Sequence, residues 1–219
     1  MHLRHEGAEH SILAVQNNIA ITYGELGNME KALSMERDVY SAKVKLLGKE
    51  NEHTLLAASN YAISLNELRR FEEGKVLLRK TMPVARRVLG ESHELTLKLR
   101  RNYALALYKG DGATLNDLGK AVTTLEDVER TARRVFGQLH PTTTGIEDKL
   151  QDARAALRAR ETLRFDKAAR AGNAARGLVH YLGRLKKAKW RGSARKIAKF
   201  GRKVQKYNRL AVAAVEVSA

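Results

Sequence analysis

The residues of this sequence with the most chemistry to offer are its seven histidines, a Gly-Asp-Gly stretch and a dense run of lysine and arginine. His5-Glu6-Gly7-Ala8-Glu9-His10 resembles the two-histidine motif of zinc hydrolases, which needs its histidines four apart on one helix face. Here they are five apart, about 140° from each other around a helix axis, so no metal is expected there. His93 and His140 take the same slot in successive segments and read as helix starts rather than ligands. Gly110-Asp111-Gly112 lacks the preceding strand and the third glycine of a nucleotide-binding loop, and reads as a loop. No Ser/His/Asp grouping or acidic pair has a catalytic spacing. Cysteine is absent, which removes disulfides, thiolate metal sites and a cysteine nucleophile. The expectation is a protein that is not an enzyme and needs no cofactor.

The elements that carry these residues are helices. The 219 residues are 43% hydrophobic, 30% charged and 5% aromatic, with two prolines and long runs of Ala, Leu, Lys, Arg and Glu, a mixture that favours helix throughout. No signal core and no run of about 18 apolar residues occurs, so the chain is expected not to be transmembrane and to reside in the cytoplasm or nucleus. The net charge of +17 is unevenly placed. Residues 160–219 hold 17 Lys and Arg against three acidic residues, leaving only +3 on residues 1–159.

The near-neutral part repeats. Leu55, Asn60, Tyr61, Ala62 and Leu65 find the same residue types 42 positions later at Leu97, Asn102, Tyr103, Ala104 and Leu107, and Leu13, Asn18 and Ala20 lie one period earlier. In the first unit Ile12, Ile19, Tyr23 and Leu26 share a helix face, Gly27-Asn28 supplies a turn, and Met29–Leu47 reads as a second, antiparallel helix with Ala32, Met35, Val39, Val44 and Leu47 inward. Gly48, Gly90 and Gly137 close the second helices, where a left-handed residue is often needed. Pro83 predicts a kink near Arg79–Pro83, because an interior proline loses a hydrogen bond and costs roughly 3 kcal/mol. Gly90 to Gly137 spans 47 residues, and the surplus five are placed in the loop after Lys109. His140-Pro141 starts a fourth unit, whose repeat signal fades by about residue 160. The opening residues begin just before or inside a repeat, as a fragment would.

These residues resemble the tetratricopeptide repeat in its 42-residue, kinesin light chain-like form. The likeness is carried by Asn18-Ile19-Ala20, Tyr23, Gly27 and Ala32; by Thr54-Leu55, Asn60, Ala62, Leu65, Phe71 and Glu73; by Leu89-Gly90, His93, Thr96-Leu97, Asn102 and Ala104; and by Phe136-Gly137 with His140-Pro141. It implies an all-α, right-handed superhelical solenoid of antiparallel helix pairs over residues 8–160, in units 8–48, 49–90, 91–137 and 138–160. A basic extension, helical or partly disordered, follows over 161–219. It also implies a non-catalytic scaffold or adaptor whose concave groove, lined by the first helix of each pair, takes up extended peptides. In that groove Asn18, Asn60 and Asn102 would grip a peptide backbone, since an amide both donates and accepts; alternatively they bridge neighbouring helices. Lys98, Arg101 and Lys109 would add cations suited to an acidic peptide or a terminal carboxylate. The heptads by which a kinesin light chain pairs with its heavy chain have no counterpart in the sequence, so motor association is not expected.

The basic stretch Lys186–Arg209 holds eleven Lys and Arg and no acidic residue. Lys186, Lys187, Lys189, Arg191, Arg195, Lys196, Lys199, Arg202 and Lys203, with Trp190, Phe200 and Tyr207 as anchors, suit nucleic acid, an anionic membrane, calmodulin or the acidic surface of tubulin. A solvated, partly helical tail is the alternative.

Overall fold

The computed structural model describes residues 2–190 and 194–216, which form helices joined by short turns, with no strand among the described residues. In chain order these are α1 (His2–Glu25), α2 (Met29–Leu47), α3 (Glu52–Glu67), α4 (Phe71–Leu89), α5 (Glu94–Lys109), α6 (Leu115–Phe136), α7 (Pro141–Trp190) and α8 (Ala194–Glu216). The chain divides into two compact units, Met1–Leu157 and Arg158–Ala219, with the boundary inside α7. No described helix is long and apolar enough to cross a membrane.

In the first unit α1 to α6 each pack on the next helix in sequence, and α3 also touches both α1 and α5, so the first helices of successive pairs line up side by side. Helix starts are set by side chains. The amides of His53, Leu95 and Thr142 donate to Asn51 Oδ1, His93 Nδ1 and His140 Nδ1, at 2.9, 3.3 and 3.2 Å, so both histidines work as caps. Just inside these starts lie buried threonines. Thr54 Oγ1 donates to the Lys43 carbonyl and Thr96 Oγ1 to the Ala85 carbonyl, one period apart, tying each pair to the one before it.

Gly48, Gly90 and Gly137 end α2, α4 and α6 with φ of 82°, 93° and 88°. Their positive φ agrees with the sequence, but ψ is extended at 168°, 163° and 168°, a region that essentially only glycine enters. Each amide still closes the last turn, onto the carbonyls of Val44, Arg86 and Arg133, while the extended ψ turns the chain into the next pair. Gly90→Ala is therefore expected to cost about 1–3 kcal/mol, although no atom lies within 4 Å of where the methyl would sit. Arg69, at the slot of Gly27, carries a φ of 59° and an exposed ion pair to Asp111. Arg69→Gly is expected to stabilise by about 0.5–1 kcal/mol, because relief of the left-handed strain outweighs a surface ion pair. Urea unfolding of both variants, with unchanged m-values, checks the pair of signs.

Two core clusters follow the repeat. Leu55, Ala62, Leu78, Ala85, Leu95 and Leu99 form one, and Leu97, Ala104, Leu107, Leu118, Leu125, Ile146 and Leu150 belong to the next. Two expectations need correcting here. The apolar face Ile12 and Ile19 of α1, with Leu26 just past its end, is exposed, and the buried face is Leu13, Asn17 and Ala20, which packs towards α2 and α3. The surplus five residues of the third unit do lie after Lys109, but only part of them are loop. The connection is five residues long against three between α3 and α4, and α6 has 22 residues against 19 in α4. Thr114 and Asp117 form a reciprocal capping box that winds the extra three into a first turn ahead of Leu118.

In the second unit, the part of α7 from Arg158 onward and α8 form an antiparallel hairpin. The Tyr181 ring lies 5.5 Å from Tyr207 and 6.3 Å from Phe200, and the Arg184 guanidinium sits 5.7 Å from the Phe200 ring. Gly177 faces Tyr207 so closely that any side chain there would overlap the ring. The break expected at Gly192-Ser193 lies outside the described residues.

Candidate peptide-binding groove

The first helices of the units are α1, α3, α5 and the start of α7, which would line the expected groove. Asn60 Nδ2 donates to Asn17 Oδ1 at 3.1 Å, joining α3 to α1, and Asn66 Nδ2 donates to the Asn102 carbonyl at 3.1 Å, joining α3 to α5. Thr142 Oγ1 donates to Glu94 Oε1 at 2.6 Å, joining α7 to α5. Polar groups thus stitch the first helices together.

The three asparagines that share a slot by sequence have three different environments. Asn18, on α1, is exposed beside Val15, Ile19, Thr22, Tyr23 and Leu26. Asn60 is half-buried with its Nδ2 committed to Asn17, and it lines a cavity. Asn102 is 3% exposed, its Nδ2 without a described partner, and it is its backbone carbonyl, not its side chain, that accepts the bond from Asn66 of α3. Asn60 turns towards the preceding first helix through its bond to Asn17, and no described helix covers the corresponding side of α1.

The cations also differ. Lys98 is half-exposed and paired with Glu94 at 2.9 Å, and that carboxyl is held below its usual range by the Thr142 hydroxyl first and by Lys98 second. Lys109 is exposed at the end of α5, its ammonium 6.0 Å from the Tyr108 ring. Arg101 stands apart. Its guanidinium is half-buried alongside Gly145 of α7, burial works against its charge, and it has no described carboxylate within ion-pairing distance, only a long 3.5 Å contact with Asn102 Oδ1.

Two features of the structure are not anticipated from the sequence. Arg100, next in the chain, is buried and bonded to Asp127 Oδ2 at 2.6 Å, which pulls the Asp127 carboxyl down; a pair 27 residues apart leaves no spacing signal. Glu36 is 5% exposed in α2, with Oε2 unbonded. Its signal is available: Ala32, Glu36, Val39 and Lys43 recur at helical spacing, and one period on from Glu36 stands Leu78.

The basic residues Lys186, Lys187, Arg195, Lys196, Lys199, Arg202 and Lys203 are all exposed and take part in no described ion pair, whereas the side chains of Lys189, Trp190 and Arg191 lie outside the described residues. The side chains of His5, Glu6 and His10 also lie outside them; among the described residues no group of three His, Cys, Asp or Glu could hold a metal.

Residues 12–53 and 54–94 each match the tetratricopeptide repeat family model. Among solved structures, nearly identical TPR-like repeats of a kinesin light chain-like protein from Podosopora anserina align with a TM-score of 0.60 at 17% identity, covering 90% of this chain and 95% of that one. A point-substituted form of those repeats aligns with a TM-score of 0.54 at 22% identity, covering 74% of this chain and 76% of that one. At such identities the likeness carries the fold. No curated protein sequence matches significantly.

Proposed function

Because this chain carries tetratricopeptide repeats, in the fold of the kinesin light chain-like arrays, we propose that it is a non-catalytic scaffold or adaptor that holds an acidic partner peptide in its groove. Arg101 carries this reading. A half-buried guanidinium with no carboxylate beside it has lost hydration without compensation, and a ligand carboxylate would restore it through paired N–H···O bonds. Lys98 and Lys109, on the same helix, would draw further acidic residues, and Asn60 Oδ1 could take a hydrogen bond from the peptide backbone. In anisotropy titrations a labelled Asp/Glu-rich peptide is expected to bind the full chain, and Arg101→Gln to weaken it by about tenfold, or 1.4 kcal/mol, with helicity unchanged. Equal affinity for the two proteins would overturn the proposal.

A second reading rests on α8, where Lys196, Lys199, Arg202, Lys203, Lys206 and Arg209 are exposed without described acidic partners. Such a face suits a polyanion, nucleic acid or an anionic membrane, held mainly by phosphate charge.

A further inference from the structure

Glu36 occupies a leucine's place. One period later its slot holds Leu78, and 47 residues beyond that Leu125, both fully buried in the core. In the first unit the same slot holds a carboxylate as buried as a core residue, with no described cation within ion-pairing distance and Oε2 bonded to nothing. Burial raises the Glu36 pKa, the nearby Glu67 adds to the rise, and the Ser64 hydroxyl opposes it. Packing does not explain the residue, because leucine would serve better.

Glu36 instead lines a cavity of about 330 Å³ between α1, α2 and α3. Glu25 and Glu67 also line it, together with Asn60 and Ser64, while Ile21 and Ile63 supply apolar wall. Three acidic residues and two neutral polar ones thus line the cavity, with no basic residue among the lining side chains. A planar guanidinium, with five donors and weaker hydration than an ammonium, fits that set of acceptors, and the isoleucines suit its methylene stem.

We propose that this cavity takes an arginine side chain of the bound partner. The site deepens, and rests on, the reading of the groove as a peptide-binding surface: the ligand carries an arginine for the Glu36 cavity as well as acidic residues for Arg101.

The test uses the full chain and two probes, acetyl-Gly-Arg-Gly-amide and its citrulline counterpart, followed by amide shifts of Asn60, Ile63 and Ser64 in NMR titrations. The arginine peptide is expected to shift these amides saturably and the citrulline peptide to bind at least about tenfold more weakly. Glu36→Gln should abolish the difference between the two. Glu36→Leu should remove binding while raising the melting temperature, since it restores the residue type of the other two units; a purely structural Glu36 would give a lower melting temperature and unchanged binding. Equal response to arginine and citrulline, binding unaffected by Glu36→Gln, or binding of agmatine without binding of the arginine peptide overturns the proposal. The acidic-peptide titration on Arg101 is separate. Its failure with the arginine response intact removes the acidic-peptide reading alone, and the converse removes only this cavity.

Discussion

Leu97→Ala is expected to lower the unfolding free energy by about 2–5 kcal/mol. Leu97 is fully buried, in a cluster that gathers α5, α6 and the start of α7, so its removal leaves a hole that three helices would have to close together. The backbone around it is held by the buried Thr96 hydroxyl and the His93 cap, which limits relaxation. Its counterpart Leu55 sits in the neighbouring cluster of α3 to α5. If the array behaves as a chain of nearest-neighbour units, Leu55→Ala should cost a similar amount, and the double variant should show a coupling below about 0.5 kcal/mol. Guanidinium titrations of the three proteins measure this; a loss under about 1 kcal/mol for Leu97→Ala would mean the core is looser than its burial indicates.

Gly177→Leu should open the basic hairpin. No side chain fits between α7 and Tyr207, so leucine must either expel the ring or separate the helices, breaking the stack of Tyr207 on Tyr181. Hydrogen exchange across 194–216 is expected to quicken by about one to two orders of magnitude, in line with overpacking costs of about 1–3 kcal/mol. The same variant informs on the polyanion reading. If the α8 lysines and arginines act as a preformed face, affinity for a phosphate polymer such as DNA should fall; if they act only as a charged coil, it should not change. In either case affinity should fall steeply with salt, and a salt-independent affinity would remove the polyanion reading.

The helix pairs are legible in the sequence because their punctuation is chemical. Gly27-Asn28 and the glycines at 48, 90 and 137 mark turns that few other residues can make, and α2 and α4 run between them with the bounds that the pattern implies. The exposed face of α1 misleads because its sequence carries two apolar stripes. Ile12 and Ile19, with Leu26 just past the helix end, form the more hydrophobic one, yet alignment with buried Leu55 and Ala62 selects Leu13 and Ala20. Periodicity ranks hydrophobicity, whereas burial depends on where a neighbouring helix lies. The length of α7 is illegible for a similar reason: the repeat signal stops near Leu157 while a proline-free run rich in alanine and arginine continues the helix to Trp190. At the candidate site, the sequence offers Arg101 and Lys98 as candidate groove cations but cannot tell the lone one from the paired one. That distinction depends on Glu94, Thr142 and Gly145, of which two come from another helix.

The lengthened start of α6 bears on how this molecule could be re-engineered. Five extra residues entered between Lys109 and Leu118, and every buried position beyond them kept its rotational phase: Phe71, Gly74, Leu78, Thr81 and Ala85 map onto Leu118, Ala121, Leu125, Val128 and Ala132 with one constant offset. The array has therefore already accepted foreign length at Gly110–Thr114 without altering the fit of its parts. That turn is the natural port for grafting a tag, a fluorophore or a second binding loop, whereas the tight turns at Gly27 and Arg69 offer no such slack.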